Sequence, residues 1–446
     1  MPKADMTNRR TFLKRSSTAA AGLVFYGAAA RFTRAEAPSS RMRIAVMGCG
    51  RGLAHISSAL DIPNTELVAL CDVDKDRLAA GQKTASQKQK KEFKAETDIR
   101  RVLEEKDLDA LFIAAPNHWH APATILACTA GKHVYVEKPC SHNPWEGEMM
   151  VMAARKYNRK VQMGNQRRTW PAVVEGIEKM RAGAIGKLRY SRCWYVSARG
   201  SIERGKAVPV PDRLDYSLWQ GPAPERPYKD NFVPYNWHWF WHWGTGESCN
   251  NGTHEIDTCR WFLGVDYPTK VTSAGGRYAF KDDWQTPDTQ IASFEFAEGK
   301  SISWEGKSCN NYPGEGGAGR GFIIYGDKGT LVNHGNDDYA IYDYDNKLVK
   351  QLKSEVDSQA NNTVSANGNL DFYHFNNFVD SVRGTAKLTS PVTEGHKTVL
   401  LCHLANISQR TGRTLHCNQQ NGHILNDEEA MKLWRRTYEK GWEPKV

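Results

Sequence analysis

A glycine-rich turn and a carboxylate after the next strand are the first residues whose types and spacing indicate chemistry. Gly48, Gly50 and Gly52 end a short apolar run and open a helical stretch. Glycines here let the backbone approach a pyrophosphate, whose charge the N–H groups at the helix N-terminus would stabilise. Asp72 ends the second apolar run, where it can accept the ribose hydroxyls of NAD and would repel the 2′-phosphate of NADP. Because Leu53 stands in place of the third fingerprint glycine, the predicted NAD site depends on the turn together with Asp72.

Two further polar segments follow apolar runs. The segment A-A-P-N-H-W-H contains Asn117 and His120, and Y-V-E-K-P contains Glu137 and Lys138. The carboxyl ends of parallel strands line the ligand crevice of a doubly wound sheet, so we expect these side chains to face the cofactor. Pro139 restricts the backbone directly after the lysine and would fix its direction. A structural ion pair between Glu137 and Lys138 is the alternative.

An aromatic run, N-W-H-W-F-W-H-W-G-T-G-E, occupies residues 236–247. Its four tryptophans alternate, so in an extended segment they would share one face. Aromatic platforms with interspersed polar groups suit sugar rings, so we assign His238 and Trp241 to the substrate and favour a carbohydrate. Packing of these indoles in the core is the alternative.

The elements that must position these residues fall into two groups. From residue 38 to 160, short apolar runs alternate with helical stretches, which predicts a doubly wound parallel sheet of the Rossmann type. Residues 161–446 are expected to form a substrate-binding α+β domain with a mainly antiparallel open sheet, because their strands are longer, alternate in hydrophobicity and end in hairpin signals. Its predicted strands are 188–195, 270–279, 289–296, 301–304 and 321–325, and its predicted helices are 252–263, 370–382 and 393–411.

Composition limits the class of protein. The 446 residues are 40% hydrophobic and 25% charged, which is typical of a globular protein with two or three domains and excludes collagen or a coiled coil. Residues 1–37 account for half of the net charge of +10, and the mild remainder predicts no nucleic-acid partner. The ten cysteines show no C-x-x-C pair and no metal-ligand spacing, so we expect free cysteines in the core and no metal site.

The N-terminal segment resembles a twin-arginine export signal. Residues 7–14 read T-N-R-R-T-F-L-K, a weakly apolar run follows over 16–30, and Ala35-Glu36-Ala37 offers a cleavage site. This signal, assigned to residues 1–37, predicts a periplasmic protein that is exported folded, with its cofactor already bound, and is not inserted into the membrane. A disordered basic tail is the alternative.

Taken together, several motifs resemble the glucose-fructose oxidoreductase / inositol dehydrogenase (Gfo/Idh/MocA) family. They are G-x-G, the second-strand Asp, P-x-x-x-H, G-K-H-V-x-x-E-K-P and G-N-Q-R-R, followed by I-G-K-L, G-T-H-E-I-D and F-V-D-S-V-R. The resemblance implies NAD(P) bound between two domains, a sugar or polyol substrate, and a homo-oligomer formed through the C-terminal sheet. The predicted cofactor contacts are Gly48, Gly50, Arg51, Gly52, Asp72, Asn117, His120, Glu137, Lys138, Asn165 and Gln166.

The same resemblance suggests the catalytic residues. In that family the lysine of E-K-P, here Lys138, contacts the reacting hydroxyl, and an Asp-x-x-x-His pair on a helix completes the site. His254 is present, but Asn250 stands where the family has Asp. Because Asn can hydrogen-bond the imidazole without adding charge, we expect His254 to be a general base oriented by Asn250 on the same helical face; a histidine that only binds substrate is the alternative. The predicted substrate contacts are Tyr195, Arg199, His238, Trp241, Asn250 and His254.

Three functions therefore remain open. The leading hypothesis is an NAD-dependent oxidoreductase acting on a sugar, glycoside or polyol. The second is a glycosidase that uses a retained NAD for transient oxidation and elimination, with Tyr195 or His238 as an additional acid or base. The third is a non-catalytic sugar- or nucleotide-binding protein on the same scaffold, which only Asn250 supports. A two-carboxylate glycosidase would leave the nucleotide site unexplained.

Overall fold

A parallel sheet with the strand order β3-β2-β1-β4-β5-β6 forms the N-terminal domain. The computed structural model describes residues 41–353 and 368–446. The apolar runs become strands because helices cover both faces of the sheet, as the Rossmann prediction requires. The sheet extends past the predicted boundary at residue 160. Its elements are β1 (Met42–Met47), α1 (Gly52–Leu60), β2 (Thr65–Cys71), α2 (Lys75–Lys88), β3 (Lys94–Glu96), α3 (Ile99–Leu103), β4 (Ala110–Ile113), α4 (Asn117–Thr129), β5 (His133–Val136), α5 (Pro144–Lys156) and β6 (Val161–Met163).

A second sheet has the order β14-β13-β12-β11-β7-β10-β9-β8-β15. All its pairs are antiparallel except β7 with β10, so the expected mainly antiparallel sheet is confirmed. Its strands are β7 (Leu188–Val196), β8 (Lys270–Gly276), β9 (Thr289–Phe296), β10 (Lys300–Lys307), β11 (Arg320–Gly326), β12 (Gly329–Asn333), β13 (Asp338–Asp343), β14 (Leu348–Lys353) and β15 (Leu415–His416).

Helices cover one face of the second sheet, and the three that the sequence predicts are present with nearly the expected bounds. Ile256 and Leu401, from two of these helices, share a buried core with Phe294 and Trp304 of the sheet. The helices that follow β6 in the chain are α6 (Pro171–Arg181), α7 (Tyr216–Gln220), α8 (Gly246–Asn250), α9 (Gly252–Leu263), α10 (Gly368–Arg383), which packs on the first sheet, α11 (Val392–Thr411) and α12 (Glu428–Met431).

Helix α10 packs on the N-terminal sheet although it comes late in the chain. Phe375 and Phe378 are fully buried there. The Phe375 ring lies 4.6 Å from that of Tyr135, and the Phe378 ring lies 5.5 Å from that of Phe112. The N-terminal domain is therefore completed by a helix from the region that we assigned to the second domain.

The tryptophan run does not form the extended segment that we expected. Residues Asn236–Trp239 form a 3-10 helix, and the chain then turns, with the Gly244 N–H donating to Phe240 O at 2.8 Å. The indoles consequently point in different directions: Trp239 stacks on Trp284 at 3.9 Å, whereas Trp243 lies 5.2 Å from Trp219. The alternating tryptophans do not predict the structure of this segment correctly, because local hydrogen bonds form turns here and no strand.

Three further findings concern the described residues alone. All ten cysteines lie among them; each is free, and all but Cys309 are buried. Over 41–353 and 368–446, no helix has the length and apolar character needed to cross a bilayer. The same ranges contain no group of three or more side chains arranged to hold a metal ion. The predicted export signal lies outside them.

Candidate active site

The glycine turn after β1 leaves no room for side chains. Gly48 has a φ of +89°, and a Cβ there would lie 2.6 Å from the carbonyl oxygen of Ala114. At Gly50 a Cβ would lie 2.5 Å from Nη1 of Arg77. The turn precedes α1, which begins at Gly52. The free backbone N–H groups at the N-terminus of this helix therefore lie next to the glycine turn. This is the surface that a pyrophosphate requires.

Asp72 stands at the end of β2 and faces the turn. Its Oδ2 accepts the N–H of Cys49 at 2.6 Å, and its Oδ1 accepts the N–H of Asp74 at 2.9 Å. Burial raises the pKa of Asp72 to about 6, despite these hydrogen bonds. Each carboxylate oxygen can accept a further hydrogen bond, so the carboxylate can still bind ribose hydroxyls.

A cavity of about 660 Å³ lies beside Asp72 and is covered by residues 212–237, which we call the cover segment. Two backbone hydrogen bonds attach this segment to the Rossmann domain: the N–H of Lys75 donates to Arg213 O, and the N–H of Asp215 donates to Val73 O, both at 2.9 Å. The segment thus spans from the second half of the chain to the nucleotide side of the first. The cavity is lined by Gly48, Asp72, Arg77, Trp119, Trp219 and Trp237, among others.

An adjoining crevice of about 940 Å³ contains most of the remaining predicted residues. Arg77 and Trp237 line both spaces, so the crevice directly adjoins the cavity beside Asp72. These side chains therefore lie together as expected, because the carboxyl ends of parallel strands line one crevice. The predicted residues that line the crevice are Gly50, Arg51, Asn117, His120, Glu137, Lys138, His238 and Asn250.

Glu137 is the centre of a buried charge network. Its Oε1 lies 2.8 Å from Nε2 of His55 and 3.2 Å from Nε of Arg51. Arg51 also donates through Nη2 to Asp371 of α10 at 2.8 Å. Burial alone would raise the pKa of Glu137, but Arg51 and His55 outweigh it and hold that pKa well below its usual value. Glu137 is therefore a permanent anion that fixes the arginine of the glycine turn.

The ammonium group of Lys138 donates hydrogen bonds to Asn250, not to the neighbouring Glu137. Its Nζ donates a short hydrogen bond to the backbone oxygen of Asn250 and a second to Asn250 Oδ1 at 3.3 Å. Burial lowers the pKa of Lys138 to about 8, with Glu137 opposing the shift. An ammonium group has three donors, so one remains for a ligand.

His254 lies in the first turn of α9 and is partly exposed. Burial lowers its pKa well below the ordinary value, and the positive charges of Lys138, Arg320 and Arg167 contribute. The imidazole is consequently neutral at pH 7 and able to accept a proton. Burial, with a smaller contribution from these cations, therefore keeps His254 in the unprotonated form that can accept a proton.

The expected contact between Asn250 and His254 is absent from the described residues. Asn250 ends α8, whereas His254 belongs to α9, and Asn251 separates the two helices as the cap of both. The i, i+4 relation that we predicted therefore does not apply. Asn250 acts on Lys138, and the prediction that it orients the imidazole is wrong.

The other predicted cofactor residues surround the same centre. Asn165 is buried, and neither atom of its amide has a partner among the described residues; Gln166 Nε2 donates to Glu137 Oε1 at 3.4 Å. Asn117 Oδ1 accepts from Thr245 Oγ1 at 2.9 Å. Both ring nitrogens of His120 face backbone carbonyl oxygens, at 2.6 and 2.7 Å, so His120 supports the crevice wall.

Tyr195 and Arg199 lie together, but neither lines the crevice, so their assignment to the substrate stays a prediction. Arg199 Nη2 donates to the Tyr195 hydroxyl at 3.5 Å, and its Nη1 donates to the Tyr235 hydroxyl at 3.2 Å. Its Nε forms a short ion pair with Glu247, a residue that we did not assign. Glu247 belongs to the G-T-G-E segment. Its position shortly before Asn250 and His254 is the sequence signal that could have identified it as a site residue.

The two aromatic-run assignments have different outcomes. His238 lines the crevice and stacks on Trp237 at 3.6 Å, and burial lowers its pKa to about 3. Trp241 does not line the crevice; it faces a separate cavity and lies under the guanidinium of Arg410. Because the segment turns after Trp239, the assignment of Trp241 to the substrate site is wrong.

Arg167, Glu255 and Arg320 form a second buried network behind His254, which we did not predict. Glu255 Oε1 accepts from Arg167 Nη2 at 2.8 Å and from Arg320 Nε at 2.9 Å. The motifs G-N-Q-R-R and G-T-H-E-I-D contain two of these residues. No local pattern marks Arg320, because it pairs with α9 only in the folded chain.

The fold and the nucleotide-binding residues define a two-domain oxidoreductase of the NAD-binding type. Residues 42–165 match the family model described as "Oxidoreductase family, NAD-binding Rossmann fold", and residues 216–416 match that described as "Oxidoreductase family, C-terminal alpha/beta domain". The chain belongs to the Gfo/Idh/MocA oxidoreductase family, and NAD is its cofactor. The residues present fit this cofactor, because Gly48 and Asp72 line one cavity, Asn117 and Lys138 line the adjoining crevice, and the buried amide of Asn165 has no partner among the described residues.

Curated relatives include glycosyl hydrolase family 109 proteins. The chain is 31% identical to one from Saccharopolyspora erythraea over 35% of this chain and 39% of that protein. It is 22% identical to one from Parabacteroides distasonis over 84% of this chain and 88% of that protein. The chain thus matches less than half the length of the first of these relatives.

Solved structures share the fold. The WlbA dehydrogenase from Bordetella pertussis, in complex with NADH and UDP-GlcNAcA, has a TM-score of 0.62 and 20% identity over 85% of this chain and 99% of that chain. Levoglucosan dehydrogenase, in complex with NADH and levoglucosan, has a TM-score of 0.64 and 18% identity over 84% of this chain and 99% of that chain. At these identities the likeness establishes the fold.

Proposed function

We propose that this protein oxidises a hydroxyl group of a sugar, glycoside or polyol. The observation that carries the proposal is a buried lysine with one spare donor, Lys138, whose positive charge acts on a neutral histidine, His254. NAD, when bound, supplies the acceptor for the hydride that leaves the hydroxyl-bearing carbon. Gly48, Gly50 and Asp72 would hold it.

The two side chains divide the work on the substrate hydroxyl. Lys138 donates its remaining hydrogen bond to the substrate oxygen, and its charge stabilises the negative charge that develops there. His254 accepts the hydroxyl proton, because burial and the surrounding cations keep its imidazole unprotonated. Asn250 holds the ammonium through two bonds and thereby directs the third.

A direct experiment tests the proposal. The purified protein is denatured, and absorbance and mass spectrometry of the released fraction identify any dinucleotide; a sugar and polyol panel then follows NADH formation. We expect NAD to be released, or to bind when added, and at least one sugar to give NADH. If no dinucleotide is released and none binds, the proposal is wrong.

A glycosidase reaction with retained NAD is the second candidate. It is supported by the similarity to glycosyl hydrolase family 109 proteins and by the cover segment over the cavity beside Asp72. In this version the substrate is oxidised and loses its glycosidic bond by elimination, water then adds to the unsaturated product, and the sugar is reduced again, so no net NADH forms. The crevice holds His238 as a neutral base, while burial raises the pKa of Tyr195 and keeps its hydroxyl protonated.

Chromogenic glycosides separate the two candidates. Cleavage without added NAD and without NADH accumulation supports the glycosidase, whereas NADH formed in proportion to product supports net oxidation. Glu247, which holds Arg199 near Tyr195, provides a control: Glu247→Gln should impair substrate binding in either version.

Periplasmic export and assembly are also part of the proposal. The twin-arginine segment at residues 7–14 supports export of the folded, cofactor-loaded protein. Replacing Arg9 and Arg10 together by Lys should leave the protein in the cytoplasmic fraction; secretion of this variant at the normal level would contradict the signal. Light scattering of the mature protein tests the proposed homo-oligomer through the open sheet, which a monomeric mass would exclude.

A further inference from the structure

The cover segment contributes residues of its own small core to the cavity beside Asp72. Leu214, Trp219 and Trp237 belong to this core and also line the cavity. Gly48 and Asp72, which would hold the pyrophosphate and the ribose of NAD, line the same cavity. The Asp72 half of a bound dinucleotide would therefore lie against the cover segment.

One end of the cover segment is anchored to the loop after β2. The side chain of Arg213 forms a short ion pair with the buried Asp74, and Leu214 forms a β-bridge with the same residue. The N–H of Lys75 donates to Arg213 O at 2.9 Å. Arg213 does not line the cavity, so its ion pair joins two parts of the protein without a contact to the cofactor.

The middle of the cover segment is anchored to α4. The backbone oxygen of Trp219 accepts a hydrogen bond from Nε1 of Trp119 at 2.9 Å and lies 2.9 Å from Nε2 of His118. The ring of Trp442 lies 5.0 Å from the buried ring of Trp119. Trp442 thus supports the tryptophan to which the cover segment is anchored.

Residues 436–446, which we call the tail, connect the cover segment to the N-terminal domain a second time. The N–H of Glu439 donates to Pro222 O at 3.1 Å, and the Glu439 carboxylate accepts the N–H of Glu225 at 3.2 Å. Trp442, in the same tail, packs on the core of the N-terminal domain. The structure describes every tail residue, and none of them lines the cavity beside Asp72.

We propose that the cover segment, held by Arg213 and by the tail, is a gate that controls the exchange of NAD. These anchors bond one part of the protein to another, so they stabilise the closed segment whether or not NAD is bound. Weakening an anchor increases the open fraction of both forms and therefore accelerates the entry and the release of NAD together. Loss of a direct contact with NAD would accelerate release and leave entry nearly unchanged. The gate rests on the proposed NAD site and is independent of the reaction in the crevice.

Stopped-flow energy transfer from tryptophan to NADH tests the gate. It follows the association of NADH with protein freed of dinucleotide, and the dissociation of NADH when excess NAD displaces it. Arg213→Gln should raise both rate constants by roughly threefold to tenfold, because it removes a partly exposed ion pair to a buried carboxylate. The dissociation constant, which is the ratio of the two, should change by less than about twofold.

Trp442→Ala tests the tail in the same way and should also raise both rate constants. Trp442→Phe keeps an aromatic ring against Trp119 and should stay close to the wild type. Arg192→Gln is the matched control, because the side chains of Arg192 and Arg213 are equally exposed, at 38%. Arg192 lies on β7 and does not line the cavity, so its replacement should change neither rate constant.

A milder variant covers the case in which Trp442→Ala does not fold. Glu439→Ala changes a partly exposed side chain and removes its bond to Glu225, so both rate constants should rise by up to about threefold. The gate is overturned if folded variants of Arg213 and of the tail leave both rate constants unchanged, or if dissociation alone accelerates. A sugar panel without turnover would contradict the proposed oxidation and would leave these rate constants as expected.

Discussion

Lys138 Nζ lies 3.3 Å from the side-chain oxygen of Asn250 and also bonds the backbone oxygen of the same residue. The family has a carboxylate at this position, and this chain has a neutral amide. This difference affects Lys138. Burial lowers the pKa of Lys138 to about 8, and Asn250 supplies no negative charge that would oppose the shift. The ammonium group is therefore close to losing its proton in the physiological range.

Asn250→Asp should raise the pKa of Lys138, because a carboxylate at this distance stabilises the ammonium. Activity that needs a protonated Lys138 would then persist to higher pH, and the basic limb of the kcat/KM profile should move up by roughly one unit. The exposed Asn310→Asp is the matched control and should move neither limb. An upward shift of the acidic limb instead would show that residue 250 acts on His254.

Lys138→Ala should reduce kcat by about a hundredfold to ten-thousandfold, since the variant loses the donor that stabilises charge on the substrate oxygen. Stopped-flow or steady-state rates with the best substrate measure this loss, and circular dichroism checks the fold. Unchanged turnover would remove Lys138 from the mechanism and favour the non-catalytic binding hypothesis.

The acidic limb of the wild-type profile should lie well below pH 6.5. His254 must be neutral to accept a proton, and burial with nearby cations lowers its pKa, so the base remains available as pH falls. Arg320→Gln removes one of those cations and should move the limb upward. An acidic limb of the wild-type pH–rate profile at or above pH 6.5 would mean that a group other than His254 is the base.

Asp72 gives NAD affinity a pH dependence of its own. The carboxylate must be charged to accept both ribose hydroxyls, and its pKa is raised to about 6, so NAD affinity should fall as the pH drops through 6. Asp72→Asn should lose this dependence and weaken NAD binding by roughly tenfold to a hundredfold. Fluorescence titration of the protein freed of dinucleotide measures both; a flat wild-type profile would contradict the role.

Asp371→Ala should cost about 3 kcal/mol of unfolding free energy, because it leaves the buried Arg51 guanidinium without one of its two carboxylates. Asp61→Ala breaks the exposed pair with Lys88 and should cost less than about 1 kcal/mol. Denaturant unfolding compares the two variants. Equal losses would show that the Arg51 pair contributes no more than a surface pair.

The sequence predicts elements whose patterns are local. The helix 252–263 has the expected bounds because its apolar period and the terminal Gly264 both lie within a short stretch. Strand-end residues such as Asn117 and Lys138 also come together as predicted, since the parallel sheet brings strand ends to one edge.

Long-range pairing explains what the sequence does not predict. Arg320 meets Glu255 only after β11 and α9 pack, and α10 joins the N-terminal sheet through aromatic rings far from it in sequence. The break at Asn251, which separates Asn250 from the helix of His254, has no strong local signal. Trp241 was misassigned for a related reason, because period-two spacing cannot distinguish a strand from a series of tight turns.

The pairing of Arg51 with Asp371 has a consequence for the order in which the protein is made. The two residues are 320 positions apart, so the arginine of the glycine turn meets its partner only when most of the chain has left the ribosome. Domains usually assemble during synthesis, starting from the N-terminus. Here α10, which packs on the N-terminal sheet and holds Arg51 through Asp371, is synthesised late, so the complete network around the glycine turn forms only toward the end of translation.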